Sequence, residues 1–519
     1  MVVMPMAGRP SLFRSTLMLT GVGVASQFFG FLYRIAMARL AGAEVLGLYQ
    51  LILPAYAVIQ SVCISGLAVA VSVLSAEFYA RGNHAALGQS VSAGLRGMAA
   101  LWLPLAAAVV FRSEWIAVHL LGDVRTWLGL LLLPPVMLLT GVENLQKQQF
   151  YGIGSMRLPA GVELGEQVLR SACIILLLAV LGPERPEQAA ALIVLGLLLS
   201  ELFSSGVLTA ARLHRARRGS GGVRVPPGQL RRRLCAIALP VSCTALAGSL
   251  MGAATSVLIP QLLVRHGLSA ERAMEEFGIL MGMTLPLLMI PTAFVNALSL
   301  ALLPRLTRER SLGQMGAFRR TGEKAMLAVC YVVLPLIALI AALGPDLGAL
   351  LFAEPRAGRY ILPLAVGVGA GCCHAALGCI LNALGKQSQS AAVSLFCGSL
   401  ELLATVVLVP RLGMAGFAAA FVGTGLLECA LCLLLVWRYA GMHLDCYRCF
   451  SAPVLAALLA ALLVHLGYHL CRDAGLGTVW AVAGGIAAGL VRHGGPGRPP
   501  AVGHPQPLVA MRRVLRYAW

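Results

Sequence analysis

Fourteen apolar segments run through this chain of 519 residues. Their approximate limits are 15–38, 48–76, 88–111, 126–146, 159–182, 187–211, 234–264, 277–304, 325–352, 358–384, 388–410, 413–437, 450–471 and 475–491. A helix that crosses a bilayer needs about 20 predominantly apolar residues, and these segments are of that length. Hydrophobic residues make up 59% of the chain and charged ones 12%, where a soluble domain carries about 25% charged residues. The alternating pattern of a membrane β-barrel is absent. The expected fold class is therefore an all-α integral membrane protein with 14 transmembrane helices. Arg9 and Arg14 precede a first segment far longer than the apolar part of a signal peptide, with no A-x-A-like end, so it is expected to stay as an anchor.

The net charge of +19 comes from 40 Lys and Arg against 21 Asp and Glu. In a soluble protein such an excess suggests nucleic acid. In this composition it reports topology, and no nucleic-acid partner is expected. With the N-terminus placed inside, alternate loops hold 27 Lys and Arg on the inner side and 10 on the outer, with Arg34, Arg96 and Arg170 inside segments. Missing one helix would erase that asymmetry. Both termini are expected in the cytoplasm, and the protein in the plasma membrane of a bacterium. The basic stretch RLHRARRGSGGVRVPPGQLRRR (212–233) is the strongest marker, a topology determinant that touches anionic lipid headgroups.

The chain repeats itself weakly. Residues 54–77 align with 286–309 at an offset of 232: Pro54 with Pro286, Leu74 with Leu306, Glu77 with Glu309. Residues 150–162 align with 381–393 at an offset of 231, Gly154 with Gly385 and Val162 with Val393. The offset spans six segments, an even number, so the halves share one orientation. The expected organisation is a six-helix lobe over 1–211 and a basic inter-lobe loop over 212–233. A second six-helix lobe follows over 234–440, then two extra helices over 441–491 and a tail over 492–519. The Pro/Gly-rich stretch RHGGPGRPPAVGHPQP (492–507) makes the tail non-helical, and disorder is expected there.

Charges inside the membrane are the candidate functional residues, because each costs about 2.5–3.5 kcal/mol at the bilayer centre. On the first segment Gly23, Gln27, Gly30 and Arg34 form one polar stripe, opposite Leu19, Phe28, Phe29 and Leu32. A stripe of this kind suits a water-filled cleft, although an arginine near a helix end also snorkels. Glu163, Glu166, Gln167 and Arg170 share a face of the fifth segment, with Glu166 and Arg170 placed for an i,i+4 ion pair. That pair either binds a ligand or neutralises itself. Glu201, Glu401 and Glu428 stand alone in three further segments, as candidates to carry a coupling ion or as buried neutral carboxyls. The substrate-binding set is Arg34, Gln27, Glu166, Gln167 and Arg170. Phosphate is the natural ligand of a membrane guanidinium, which binds it with two parallel hydrogen bonds. A lipid-linked diphosphate has its tail in the bilayer and a head that needs a polar route.

No G-x-x-x-x-G-K-[ST], G-x-S-x-G or H-E-x-x-H occurs. The protein is expected not to be an enzyme and to hold no cofactor. Its driving force would come from H⁺, Na⁺, the membrane potential or substrate supply. The spacings Cys429–Cys432, Cys446–Cys449 and His465–His469 suit metal ligands, but no second cluster completes a set of four, and no metal is expected.

At these residues a family becomes recognisable. STLMLTGVGVASQFFGFLYRIAMARLAGAEVLGLYQLILPAY (15–56) resembles the stage V sporulation protein B family. So do GSMRLPAGVELGEQVLR (154–170), with Met156, Pro159, Ala160, Glu166, Gln167 and Arg170, and the stretch 239–304. That family is similar to the lipid II flippases and to the MATE-like superfamily of flippases and multidrug exporters. The resemblance covers roughly residues 11–440. It implies alternating access and a polyprenyl-diphosphate saccharide as cargo, lipid II included, with membrane lipids and cell-wall synthesis enzymes as partners. Arg34 falls where lipid II flippases keep an arginine on the first helix. Segments 48–76 and 277–304 lack the further arginines that line the cleft there. Two other readings compete: a cation-coupled multidrug exporter of MATE type, suggested by the intramembrane acids, and a scaffold for cell-wall enzymes.

Overall fold

The structure is a computed structural model that describes residues 12–218, 222–442, 445 and 447–473. These residues are helices joined by short turns, with no strand among them. The segment expected at 475–491 and the tail 492–519 lie outside the described residues. The chain divides into two compact units, Met1–Gly278 and Ile279–Trp519.

The first unit holds eight α-helices: α1 (Leu12–Gln60), α2 (Gly66–Ala80), α3 (His84–Trp115), α4 (Trp127–Gly152), α5 (Arg157–Leu181), α6 (Pro186–Arg218), α7 (Pro227–Arg265) and α8 (Ala270–Gly278). No loop separates the first two expected segments. Gly42, at φ 81° and ψ 175°, breaks α1 into two rods at a conformation that costs glycine little. A π-helical turn, Ser61–Ser65, then leads into α2. The described run Ala25–Ala80 is 56 residues long. At 1.5 Å per residue it measures about 84 Å, enough for two crossings of a core about 30 Å thick.

Asn83 starts α3 by accepting from the Ala86 N–H at 3.0 Å. Its Nδ2 donates to the Val223 carbonyl at 2.8 Å, and Gln89 accepts from the Val225 N–H at 2.9 Å. The end of the basic stretch 212–233 is thereby stitched to the first unit. α7, which the duplication assigns to the second lobe, packs in the first unit against α1 and α2. The backbones of α2 and α7 touch because Gly66 lacks a side chain: a Cβ there would collide with the Ala238 carbonyl oxygen. Gly66→Leu is therefore expected to destabilise the protein by about 1–3 kcal/mol through overpacking. A thermal melt in detergent that matches wild type would exclude this close contact.

The second unit holds α9 (Leu285–Leu288), α10 (Thr292–Ser311), α11 (Met315–Ala342), α12 (Gly344–Phe352), α13 (Arg356–Arg359), α14 (Ile361–Ala383), α15 (Gln387–Leu412), α16 (Met414–Ala440) and α17 (Ala452–Asp473). α11 packs on α17, with Leu343, Val464 and Tyr468 fully buried at their junction. α14 and α15 both pack on α16.

Eleven helices are long and apolar enough to cross a membrane among the described residues, or twelve with the bent pair Ala270–Leu288 and Thr292–Ser311 as one span. Large apolar side chains point outward, as at Phe111 (84% exposed) and Val180 (71%). A multi-pass membrane protein has this surface because lipid faces it. The run Ala25–Ala80 is one of the eleven, and its length accounts for two of the expected segments.

Candidate functional site

The first unit gathers charge in its interior. α4 supplies Glu143 and Lys147, α5 supplies Glu163, Glu166 and Arg170, and α6 supplies Ser200 and Glu201. Helical spacing puts the α4 pair on one face and the α5 set on another, and Ser200 and Glu201 are neighbours on α6. Glu143, Glu166 and Glu201 are 3%, 5% and 3% exposed, an environment that carboxylates enter only with partners. Arg170 is the hub. It ion-pairs with Glu166, donates Nε–H to Ser200 Oγ at 3.2 Å and reaches Glu201 Oε1 at 3.5 Å. Lys147 pairs with Glu143 at 2.7 Å and lies 4.0 Å from Glu163. Tyr56 donates to Thr140 Oγ1 at 3.4 Å beside this cluster.

The expected pair Glu166–Arg170 is present, and Glu201 joins it instead of standing alone. Gln167 is half-buried and takes no part in the ion pairs. Arg34 is half-buried, with no ion pair among the described residues. It shares two neighbours with Arg170, because Tyr33 and Tyr49 lie within electrostatic reach of both guanidiniums. Those tyrosines stand on either side of the Gly42 break. Gln27 is exposed, one helix face with Arg34. The opposite stripe is also open, with Phe28 59% and Leu32 44% exposed. The face of α1 that enters the interior is instead Ser26, Tyr33 and Met37.

Sequence reasoning missed Lys147, placed in a loop after a segment ending at 146. α4 continues to Gly152, which puts Lys147 inside the unit, its side chain 14% exposed. The signal was present: Glu143 and Lys147 are an i,i+4 pair with the acid N-terminal.

In the second unit Glu401 of α15 and Glu428 of α16 line one cavity of about 270 Å³, with Thr292, Ser394 and Thr424. Two acids that stand alone in sequence thus meet in space. His374 of α14, unremarked in the sequence, brings its Nε2 to 3.4 Å from Glu428 Oε1.

A bundle of long apolar helices in two units, each with buried charge, defines a class. The fold is that of the MATE-like membrane transporters. It matches an inward-facing multidrug resistance MATE transporter of the MOP superfamily with a TM-score of 0.67, at 13% identity over 82% of this chain and 98% of that one. It matches the lipid II flippase MurJ, in an inward closed conformation, with a TM-score of 0.66, at 10% identity over 96% and 99% of the two chains. Over residues 12–309 the sequence fits the polysaccharide biosynthesis protein family, and the chain belongs to that family. A relative in Bacillus subtilis (strain 168), stage V sporulation protein B, is 26% identical over 322 residues. That stretch is 60% of this chain and spans 61% of the relative's length.

Proposed function

We propose that this protein is a flippase. It moves a polyprenyl-diphosphate-linked saccharide, lipid II or another cell-wall or spore-cortex precursor, from the inner to the outer leaflet of a bacterial plasma membrane. Family membership and the likeness to stage V sporulation protein B support the cargo class. The observation that carries the reading is the contrast between the two guanidiniums of the first unit. Arg170 is engaged by Glu166, Glu201 and Ser200, whereas Arg34 meets no acidic side chain among the described residues. An arginine held within helices without a protein acid is poised for an external anion, and a diphosphate satisfies its fork. Gln27, one face with Arg34, adds an amide to the same route. Glu166, Gln167 and Arg170 form its wall. A chain organised as two compact units suits an alternating-access cycle. The excess of basic loops on one side supports a cytoplasmic position for both termini. The protein works on transport and not on covalent chemistry, with cell-wall synthesis enzymes as neighbours.

The test is translocation of fluorescent lipid II in proteoliposomes. Wild type is expected to exceed empty vesicles at least about tenfold, a barrier difference of about 1.4 kcal/mol. Equal rates would remove the function.

Four carboxylates against two cations fill the first cluster, and two carboxylates with one histidine fill the second. A buried surplus of negative charge persists only if a proton or cation shares it. Glu201, Glu401 and Glu428 are therefore the proposed carriers of H⁺ or Na⁺ coupling. Glu401→Gln combined with Glu428→Gln is expected to make transport insensitive to collapse of the ion gradient, measured in the same vesicles. A double variant as gradient-sensitive as wild type would discard this role. The same surplus favours a second reading, export of cationic compounds. Gradient-driven uptake of a cationic dye, without lipid II translocation, would favour it.

A further inference from the structure

Outside its ion pairs, the first unit holds a buried donor and a buried acceptor that no protein group satisfies. α4 and α6 pack side by side and run in one direction. A Cβ on Gly129 would lie 3.8 Å from Val194 Cγ2, and further along both helices Gln146 Nε2 donates to Thr209 Oγ1 at 2.8 Å. Three residues on, a rise of about 4.5 Å, Gln149 and Arg212 reach one level on the same two helix faces. Gln149 is 8% exposed and Arg212 is half-buried.

Gln149 Oε1 and Arg212 Nε are both buried with no hydrogen-bond partner among the described residues, and Arg212 has no ion pair among them. The placement of acids explains this. The chain carries no Asp or Glu from 144 to 162 and none from 202 to 270. The acids just before those stretches, Glu143 and Glu201, lie against Lys147 and Arg170. Buried polar groups of a native protein have partners, so a bound molecule serves these two. A single water would bridge the two atoms but leave the guanidinium charge unmatched between helices.

The pair specifies the chemistry of that molecule. The guanidinium takes an anion that offers two oxygens, as a phosphate does. Gln149 Oε1 is an acceptor and takes an O–H or N–H donor. A phosphate with such donors beside it is a glycosyl phosphate, the junction between the diphosphate and the first sugar of a lipid-linked saccharide. Arg215, three residues beyond Arg212 and exposed, adds a second cation toward the end of α6. None of these residues belongs to α1 or to the ion-pair cluster.

We propose that Gln149 and Arg212 form a docking subsite for the glycosyl-phosphate junction of the cargo, at the end of the unit that carries the basic stretch and apart from Arg34. The subsite rests on the flippase reading, and the experiment separates the two. Intact Arg34→Ala protein in micelles is offered equal amounts of a short-chain polyprenyl diphosphate with and without its sugar, and native mass spectrometry reads what stays bound. It is expected to retain one sugar-bearing lipid in at least about fivefold preference. R34A/Q149L is expected to bind both lipids without preference, and R34A/R212Q neither. R34A/R411Q, the same charge change at the end of α15, keeps the preference. In R34A/Q149E the new carboxylate pairs with Arg212, so the lipid is expelled while the melting temperature does not fall, which no folding defect mimics. Millimolar inorganic phosphate is expected to leave the lipid bound. Equal retention of the two lipids by the Arg34→Ala protein, lipid still held by R34A/R212Q or R34A/Q149E, or displacement by inorganic phosphate would each overturn the subsite. Wild type that translocates no lipid II removes the flippase reading, whereas wild type that translocates it beside any of those results removes the subsite alone.

Discussion

Replacing Arg34 by alanine is expected to slow lipid II translocation about 30-fold, because losing one partner of a desolvated charge pair costs about 2 kcal/mol or more. The variant should fold as wild type does, since Arg34 holds no acid of the protein among the described residues. Arg34→Lys is expected to fall between the two. It keeps the charge but not the planar fork that grips two phosphate oxygens at once. Rates in proteoliposomes, set against equal melting curves, give the check. An alanine variant that flips lipid II at the wild-type rate would take this guanidinium out of the mechanism.

Arg170→Met is expected to do the reverse and damage the fold. Glu166 and Glu201, with side chains 6% and 4% exposed, would lose their shared cation inside the unit. An uncompensated buried charge of this kind costs about 3–5 kcal/mol. The loss is expected as a large drop in melting temperature in detergent, and the triple change R170M/E166Q/E201Q should recover most of it. Recovery separates a charge effect from a packing effect, because the methionine is present in both proteins. If Arg170→Met melts with wild type, the ion pairs described around this residue do not hold the unit together.

These two arginines look alike in sequence, each a cation in an apolar run. What distinguishes them comes from other parts of the chain. The Glu166–Arg170 pair is readable from i,i+4 spacing, but Glu201 lies 31 residues beyond Arg170 and meets it only because α5 packs on α6. Lys147 was misplaced because hydropathy falls where α4 turns polar, while the helix itself continues to Gly152. The acids of the second unit show the same limit. Glu401 and Glu428 are singles in the sequence until the packing of α14, α15 and α16 sets them around one cavity, with His374 beside Glu428.

The sequence by itself determined the class of fold, the chain's residence in a membrane and the short list of charged residues to consider. Those properties depend on hydropathy summed over about 20 residues and on helical periodicity, and both are local. Tertiary structure alone decided that the break between the first two expected segments falls at Gly42 with no loop between them, and which buried charges neutralise one another. Side chains far apart along the chain meet only when helix faces are chosen. That choice is made by packing, as where Gly66 lets α2 touch α7, and no local pattern records it.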